Sequence, residues 1–148
     1  MGTRSRIGVM HGEQCKSVYC HWDGYLEHNG RILLEHYDSA KANQLVAHGD
    51  LSSLAPELHA NGDSHSFASP KEGVCVFYGR DRGETDVDWA VDSTFEEFLE
   101  RVDNCTAEYY YIMKDGVWYC GDAYDNTPLS GKLVPLAEAL ESCKELAE

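Results

Sequence analysis

The strongest constraint on the fold is a β-hairpin in the last third of the chain. Residues 107–113 and 117–120 are rich in aromatic and β-branched side chains, and Lys114-Asp115-Gly116 separates the two runs. An Asp-Gly pair between apolar runs is typical of a tight hairpin turn. The pattern therefore predicts two adjacent antiparallel strands.

A similar pattern predicts a first hairpin at the N-terminus, with strands over 4–11 and 15–22 around a turn that contains Gly12. Apolar residues at helical spacing, together with capping residues, predict the helices. The remaining predicted elements are strands over 74–79 and 87–91, and helices over 25–37, 40–48, 94–103 and from near Pro135 onward.

These elements follow one another in the order ββαα–loop–ββα–ββα. The order indicates an α+β fold, in which a mixed, mostly antiparallel sheet built from hairpins carries about four helices on one side. The chain has 148 residues, of which 43% are hydrophobic, and this size fits a single domain over 1–148. Residues 50–73 lack periodicity, so we predict a long loop there, of a length that tends to be functional or mobile.

The net charge of −14 is unevenly distributed. Residues 82–108 carry nine acids and two bases, whereas residues 1–36 carry four of each. Direct nucleic-acid or membrane binding is not expected, because phosphate contacts need clustered Lys and Arg. The acidic segment is either a solvated face or a surface that docks a basic protein. The candidate contacts for such docking are Glu96, Glu97 and Glu100.

Cysteine usage and apolar runs bear on the compartment. Six cysteines without CxxC spacing, several at apolar positions of predicted elements, indicate free thiols in a reducing compartment. No run approaches the ~20 apolar residues of a membrane helix. Residues 1–12 lack the longer apolar region of a secretory signal. We therefore expect a cytoplasmic protein. The sequence leaves open whether it forms a homo-oligomer.

The densest cluster of functional side chains follows the first hairpin. His21 could act as an acid or a base, and Asp23 could orient it. Trp22 and Tyr25 offer flat faces on which a base or a sugar could stack. The alternative is core packing of the two rings beside an Asp-Gly turn.

Arg4 and Arg6 are candidate anion ligands. They lie two residues apart on a predicted strand and therefore share one face, where Gly8 leaves room beside them. Paired guanidinium groups bind phosphate or carboxylate through planar two-point hydrogen bonds. The alternative is ordinary salt bridging within this acidic protein.

A second arginine group follows the strand predicted over 74–79. Arg80 and Arg82 could hold an anion between them while Asp81 fixes their positions. A solvated charged turn is the alternative here.

Catalytic motifs are absent from the sequence. There is no GxSxG, P-loop or Rossmann fingerprint, and no cysteine has a recognisable catalytic context. His21 and Asp23 could share a metal ion, but neither has an evident third ligand. We therefore assign no catalytic residue, no metal site and no cofactor.

Several sequence blocks resemble a group of small hypothetical proteins encoded by tailed phages and prophages. The blocks are residues 3–6, 17–30, 49–54, 77–84 and 107–111, and the His-Trp-Asp-Gly-Tyr run at 21–25 is the most specific of them. Together they span most of the chain. The resemblance implies a viral accessory protein that acts inside a bacterium, and it carries no catalytic residue with it.

Three hypotheses of function follow from these observations. The first is a binding module that captures a small anionic, nucleotide-like ligand with arginines and aromatic rings. The second is an acidic inhibitor that docks on a basic host protein, such as a nucleic-acid-binding or defence protein. The third is a nucleotide hydrolase in which His21 and Asp23 act as acid and base.

Overall fold

The computed structural model describes residues 4–22, 24–58, 72–83, 89–105, 107–122 and 133–147. Side chains are described for these residues except Arg82, Asp122 and 142–147. Most of the loop predicted over 50–73 and part of the strand predicted over 87–91 therefore lie outside the described residues.

Eight strands and five α-helices alternate irregularly along the described chain. The strands are β1 (Ser5–His11), β2 (Gln14–Cys20), β3 (Leu51–Ser53), β4 (Val76–Phe77), β5 (Ala90–Asp92), β6 (Tyr109–Lys114), β7 (Val117–Asp122) and β8 (Val134–Pro135). The α-helices are α1 (Arg31–His36), α2 (Ser39–Ala47), α3 (Tyr78–Arg82), α4 (Phe95–Asn104) and α5 (Leu136–Ala147). A π-helix (Leu26–Gly30) precedes α1 directly.

Both predicted hairpins form. β1 pairs antiparallel with β2, and β6 pairs antiparallel with β7. Asp115 and Gly116 have φ angles of 52° and 77°, the left-handed pair that a two-residue type I′ turn requires. The local turn chemistry therefore determines the register of the second hairpin.

Parallel pairing of β1 with β6 joins the two hairpins into one sheet. The strand order is β4-β3-β2-β1-β6-β7-β8, and β5 pairs with β2 beside β3. β3 pairs with the last residue of β2, whereas β5 pairs with its first half, so the two share one edge of that strand. The sheet is mixed, and the predicted α+β class is confirmed.

Apolar side chains cover both faces of this sheet. Ile7 and Tyr111 belong to a large core with the π-helix, α1, α2 and α5. The alternate residues Tyr110 and Ile112 pack on the other face against Phe98 of α4. The prediction of helices on one side is therefore wrong, because the second apolar face of β6 also needs a cover.

The boundaries of two elements differ from the prediction. The helix predicted over 25–37 is a π-helix followed by the short α1. The strand predicted over 74–79 is only β4, and α3 begins at Tyr78. The Asp81 carboxylate accepts the Phe77 backbone N–H at 2.8 Å, which favours a helical turn there over a continued strand. β3 and β8 were not predicted.

Among the described helices, none combines the length and the apolar character that crossing a membrane requires.

Candidate functional site

The predicted anion ligands Arg4 and Arg6 lie at the start of β1, and the predicted His21 and Trp22 follow the end of β2, the strand that pairs with β1. We call this region, with Tyr19, the β1–β2 corner. Arg6 lies directly opposite Tyr19 in the antiparallel register. The same register continued by one residue places Arg4 opposite His21, so these side chains share one face.

The chain beyond β2 runs along β3. The backbone N–H of His21 donates to the Leu51 carbonyl at 3.2 Å, and that of Trp22 donates to the Ser52 carbonyl at 2.9 Å. These bonds extend the ladder and fix the direction in which both side chains leave the strand. Trp22 stays 43% exposed, so its ring is not part of the core.

Arg6 is a buried guanidinium with a neutral partner. It is only 5% exposed, and it donates from Nε to Ser17 Oγ at 2.8 Å and from Nη2 to the Ser17 carbonyl at 3.3 Å. No carboxylate of the described residues lies within ion-pair distance of it. Burial of a charge without a counter-charge costs several kcal/mol. Arg6 is therefore a cation that lacks an anion within the described chain.

One nitrogen of Arg6 remains open. Nη1 has no hydrogen-bond partner among the described residues. Yet every buried side-chain nitrogen or oxygen of the described part has a partner. Nη1 is therefore not fully buried.

The buried carboxylate of Asp92 already has a partner. Asp92 of β5 is 5% exposed and binds Arg101 of α4 in a two-point pair, with Nε–Oδ2 at 2.9 Å and Nη2–Oδ1 at 3.0 Å. Hydrogen bonding to Asp92 raises the pKa of Arg101 above its ordinary value. The Asp92 charge is thus neutralised by Arg101 and not by Arg6.

The face around Arg6 has no spare room at its centre. A Cβ added to Gly8 would lie 2.8 Å from Cys15 Sγ and 3.2 Å from Ser17 Cβ. The space predicted beside the arginines is therefore filled by β2 side chains. Burial raises the pKa of the Cys15 thiol to about 12, with a smaller contribution from Asp92, so it stays a neutral packing group.

Tyr19, His21 and Trp22 form a line of rings at the edge of the corner. The Tyr19 hydroxyl lies 2.8 Å from His21 Nδ1, and the His21 and Trp22 ring centroids lie 4.8 Å apart, edge to face. Partial burial raises the pKa of Tyr19 to about 12, and the nearby Arg4 opposes that shift. The phenol thus keeps its proton at neutral pH. When the phenol donates that proton to Nδ1, neutral His21 carries its own proton on Nε2.

Arg80 and Asp81 bind each other and the neighbouring backbone. Arg80 donates from Nη1 to the Leu58 carbonyl, from Nη2 to the Cys75 carbonyl at 2.9 Å and from Nε to Asp81 Oδ1 at 3.0 Å. These bonds tie α3 to the chain around β4. Among the other predicted ligands, Asp23 and the Arg82 side chain lie outside the described residues.

Tyr25 stands apart from the corner. It is 39% exposed, it precedes the π-helix, and its ring lies 6.0 Å from that of His28. Of the predicted ligands, His21 contacts Trp22, and Arg6 lies opposite Tyr19, which in turn contacts His21. The prediction missed Tyr19 and Ser17, although the alternation of side chains along β2 could have shown both.

The acidic candidates lie on α4. Glu96, Glu97 and Glu100 are all exposed. Glu97 also caps the helix, since its Oε2 accepts the Ser93 N–H at 2.8 Å and its own N–H donates to Thr94 Oγ1 at 3.2 Å. Only Glu96 and Glu100 are therefore without a structural role of this kind.

The described cavities lie elsewhere. The largest, about 710 Å³, is lined by the α1–α2 connection and the start of β7, and two others measure about 470 and 350 Å³. None of the predicted ligand-binding residues lines any of these three. Over the described residues, no three His, Cys, Asp or Glu side chains gather as a metal site would require. Cys15, Cys20, Cys75, Cys105 and Cys120 are free thiols.

Comparison with known proteins adds no relative to this picture, since no family model, curated protein or solved structure matches the chain.

Proposed function

We propose that this protein captures a small anionic, nucleotide-like ligand at the β1–β2 corner and does not turn it over. The observation that carries the proposal is Arg6, a guanidinium that is 5% exposed and whose hydrogen bonds within the described chain all go to Ser17. A chain with a net charge of −14 has many carboxylates that could neutralise a structural arginine. Holding one without such a partner favours a role in binding an external anion.

The neighbouring groups complete a plausible set of contacts for such a ligand. Arg6 Nη1 would donate to a phosphate oxygen. The His21 Nε2–H would donate to a further oxygen. The exposed Trp22 ring would stack on a base or sugar at the other end.

Capture without turnover follows from the same groups. The thiol of Cys15 stays protonated because of its raised pKa, so it is a poor nucleophile. His21 Nδ1 is bonded to Tyr19, which leaves the ring as a hydrogen-bond donor toward the ligand. The resemblance of the sequence to small phage proteins supports an accessory role inside an infected bacterium, where sequestering a nucleotide signal could oppose host defence.

Isothermal titration calorimetry at low salt tests the proposal. The probes are AMP and cyclic di-AMP, with adenosine as the uncharged control. We expect the phosphate-bearing probes to bind and adenosine to bind at least 10-fold more weakly. Arg6→Gln should remove binding, whereas Arg31→Gln, which changes an exposed arginine of α1, should not.

Failure of both phosphate-bearing probes to bind the folded protein, or equal binding by Arg6→Gln, would overturn the proposal. Chromatography of the titrated mixture decides between capture and hydrolysis. New products that disappear in His21→Ala would replace capture by turnover.

A second candidate function uses the exposed carboxylates of α4. Glu96 and Glu100 lie one helical turn apart and share a face with solvent, which suits contact with a basic host protein. Such binding should weaken steeply as salt rises. Glu96→Lys/Glu100→Lys should abolish it, whereas Glu35→Lys on α1 should not.

A further inference from the structure

A buried polar chain links β1 and β2 to the π-helix. Asn29, Ser5 and Cys20 are each 0% exposed. Asn29 Nδ2 donates to Ser5 Oγ at 3.2 Å and to Cys20 Sγ at 3.4 Å. The Cys20 thiol in turn donates to the Trp22 carbonyl at 3.6 Å. A π-helix adds one residue to a helical turn and is frequent at functional sites, and here it turns Asn29 into the core.

The direction of these bonds points to one tautomer of a neutral His28 ring. Because Cys20 gives its proton to Trp22, its sulfur accepts from the Asn29 amide, and Nδ2 must face it. Asn29 Oδ1 therefore faces His28 Nδ1, 3.0 Å away, and can only accept. His28 Nδ1 carries the proton, and in the neutral ring Nε2 is left as a bare acceptor.

His28 lines the cavity of about 470 Å³ between the π-helix and the β3–β4 edge. The walls are aliphatic, with Ile32, Leu54, Val74 and Val76. Among the described lining residues, the other polar side chains are those of Ser53 and Glu72, and none is a lysine or an arginine. The ionisable side chains of this described lining are therefore Glu72 and His28.

We propose that this cavity binds an aliphatic ammonium compound, such as an alkylamine or a diamine. The alkyl chain would lie against the aliphatic walls, where burial of each methylene contributes about 0.8 kcal/mol. The ammonium group would donate to His28 Nε2, and the Glu72 carboxylate would neutralise its charge. This site is independent of the β1–β2 corner, which uses cationic donors for an anion.

Titration with n-hexylamine and with n-hexanol tests the proposal on the full chain. The two probes match in length, and only the amine carries the charge. We expect hexylamine to bind at least 10-fold more tightly than hexanol. Equal affinities, or no binding of hexylamine, would overturn the ammonium site.

Two variants and a matched control assign the contacts. His28→Phe should weaken hexylamine binding at least 10-fold, and His36→Phe, on the exposed side of α1, should leave it unchanged. Glu72→Gln changes an exposed residue and thus tests the carboxylate without a risk to folding. If hexylamine binds both Glu72→Gln and His28→Phe as it binds the parent protein, the site is not the one proposed.

Nitrogen-15 NMR of the imidazoles tests the polar chain separately. In the neutral ring of His28 we expect the proton on Nδ1, and a proton on Nε2 would overturn the assigned direction of the chain. Arg6→Gln should not alter hexylamine binding, so loss of anion capture and loss of this site are distinguishable.

Discussion

The phenolic oxygen of Tyr19 lies 2.8 Å from Nδ1 of His21, two residues further along the chain on the same face. Tyr19 lies opposite Arg6 across the hairpin, so the tyrosine connects the cationic and the aromatic parts of the corner. The position of its hydroxyl therefore bears on both halves of the proposed ligand contact.

Tyr19→Phe should weaken AMP binding by about 5-fold, because His21 loses the partner that orients its ring, and one hydrogen bond contributes about 1 kcal/mol. Calorimetry measures the affinity, and nitrogen-15 NMR reports whether the His21 tautomer becomes mixed. Tyr119→Phe, on β7, is the matched control and should change neither. An unchanged affinity and tautomer in Tyr19→Phe would show that the hydroxyl does not position His21.

Arg6→Met should stabilise the fold while it removes the proposed anion contact. Replacing a buried charge without a counter-charge by an apolar side chain of similar length is expected to raise the free energy of unfolding by about 1 kcal/mol. In this variant the Ser17 hydroxyl loses the guanidinium donor, which offsets part of the gain in the free energy of unfolding. Urea denaturation of the ligand-free protein measures the change. A loss of more than about 2 kcal/mol would mean that Arg6 serves the fold and not a ligand.

Arg101→Met should destabilise the protein, because it leaves the buried Asp92 carboxylate without its two-point partner. The side chain of Arg101 is 40% exposed, so solvent screens part of the interaction. We expect a loss of about 2 kcal/mol in the free energy of unfolding. Asp92→Asn in the Arg101→Met background should recover part of it, and Lys114→Met is the exposed control. No loss in Arg101→Met would show that the pair is energetically neutral.

Stability should fall between pH 9 and pH 12. Burial raises the pKa of the Cys15 and Cys20 thiols from 9.0 to about 12. Below pH 9 the folded and the unfolded chain both hold these protons, so the two thiols do not lower the free energy of unfolding. As the pH rises further, the unfolded chain ionises first, so each thiol lowers stability by up to about 1.4 kcal/mol per pH unit.

Urea denaturation at pH 8, 9.5 and 11 checks this dependence. In Cys15→Ala the free energy of unfolding should fall less steeply with pH, by the contribution of one thiol. Cys105→Ala, which changes a half-buried residue, should not reduce the slope. The same burial predicts that native Cys15 and Cys20 alkylate far more slowly at pH 8 than in the denatured chain. Equal decline in the parent protein and in Cys15→Ala would contradict the raised pKa.

Local chemistry accounts for the parts of the fold that were predictable. Asp115 and Gly116 adopt the left-handed backbone angles of a tight turn. The β6–β7 hairpin is therefore predictable from residues that are adjacent in the sequence. The α4 helix begins within two residues of its predicted start because its cap, Thr94, and its first-turn glutamates are also local. Elements of two or three residues, such as β4, depend on distant partners and were placed poorly or missed.

The amino-acid sequence by itself determined the hairpins, the α+β class and the shared face of Arg4 and Arg6, since these depend on residues a few positions apart. Only the tertiary structure decided which partners each arginine has. Arg80 is occupied by the carbonyls of Leu58 and Cys75, which chain folding brings to it. Among the described residues no carboxylate pairs with Arg6, and Asp92, which β5 places on the same face, binds Arg101 of α4. Hydrogen bonds between residues far apart in sequence depend on how the elements pack, and local sequence patterns do not predict that packing.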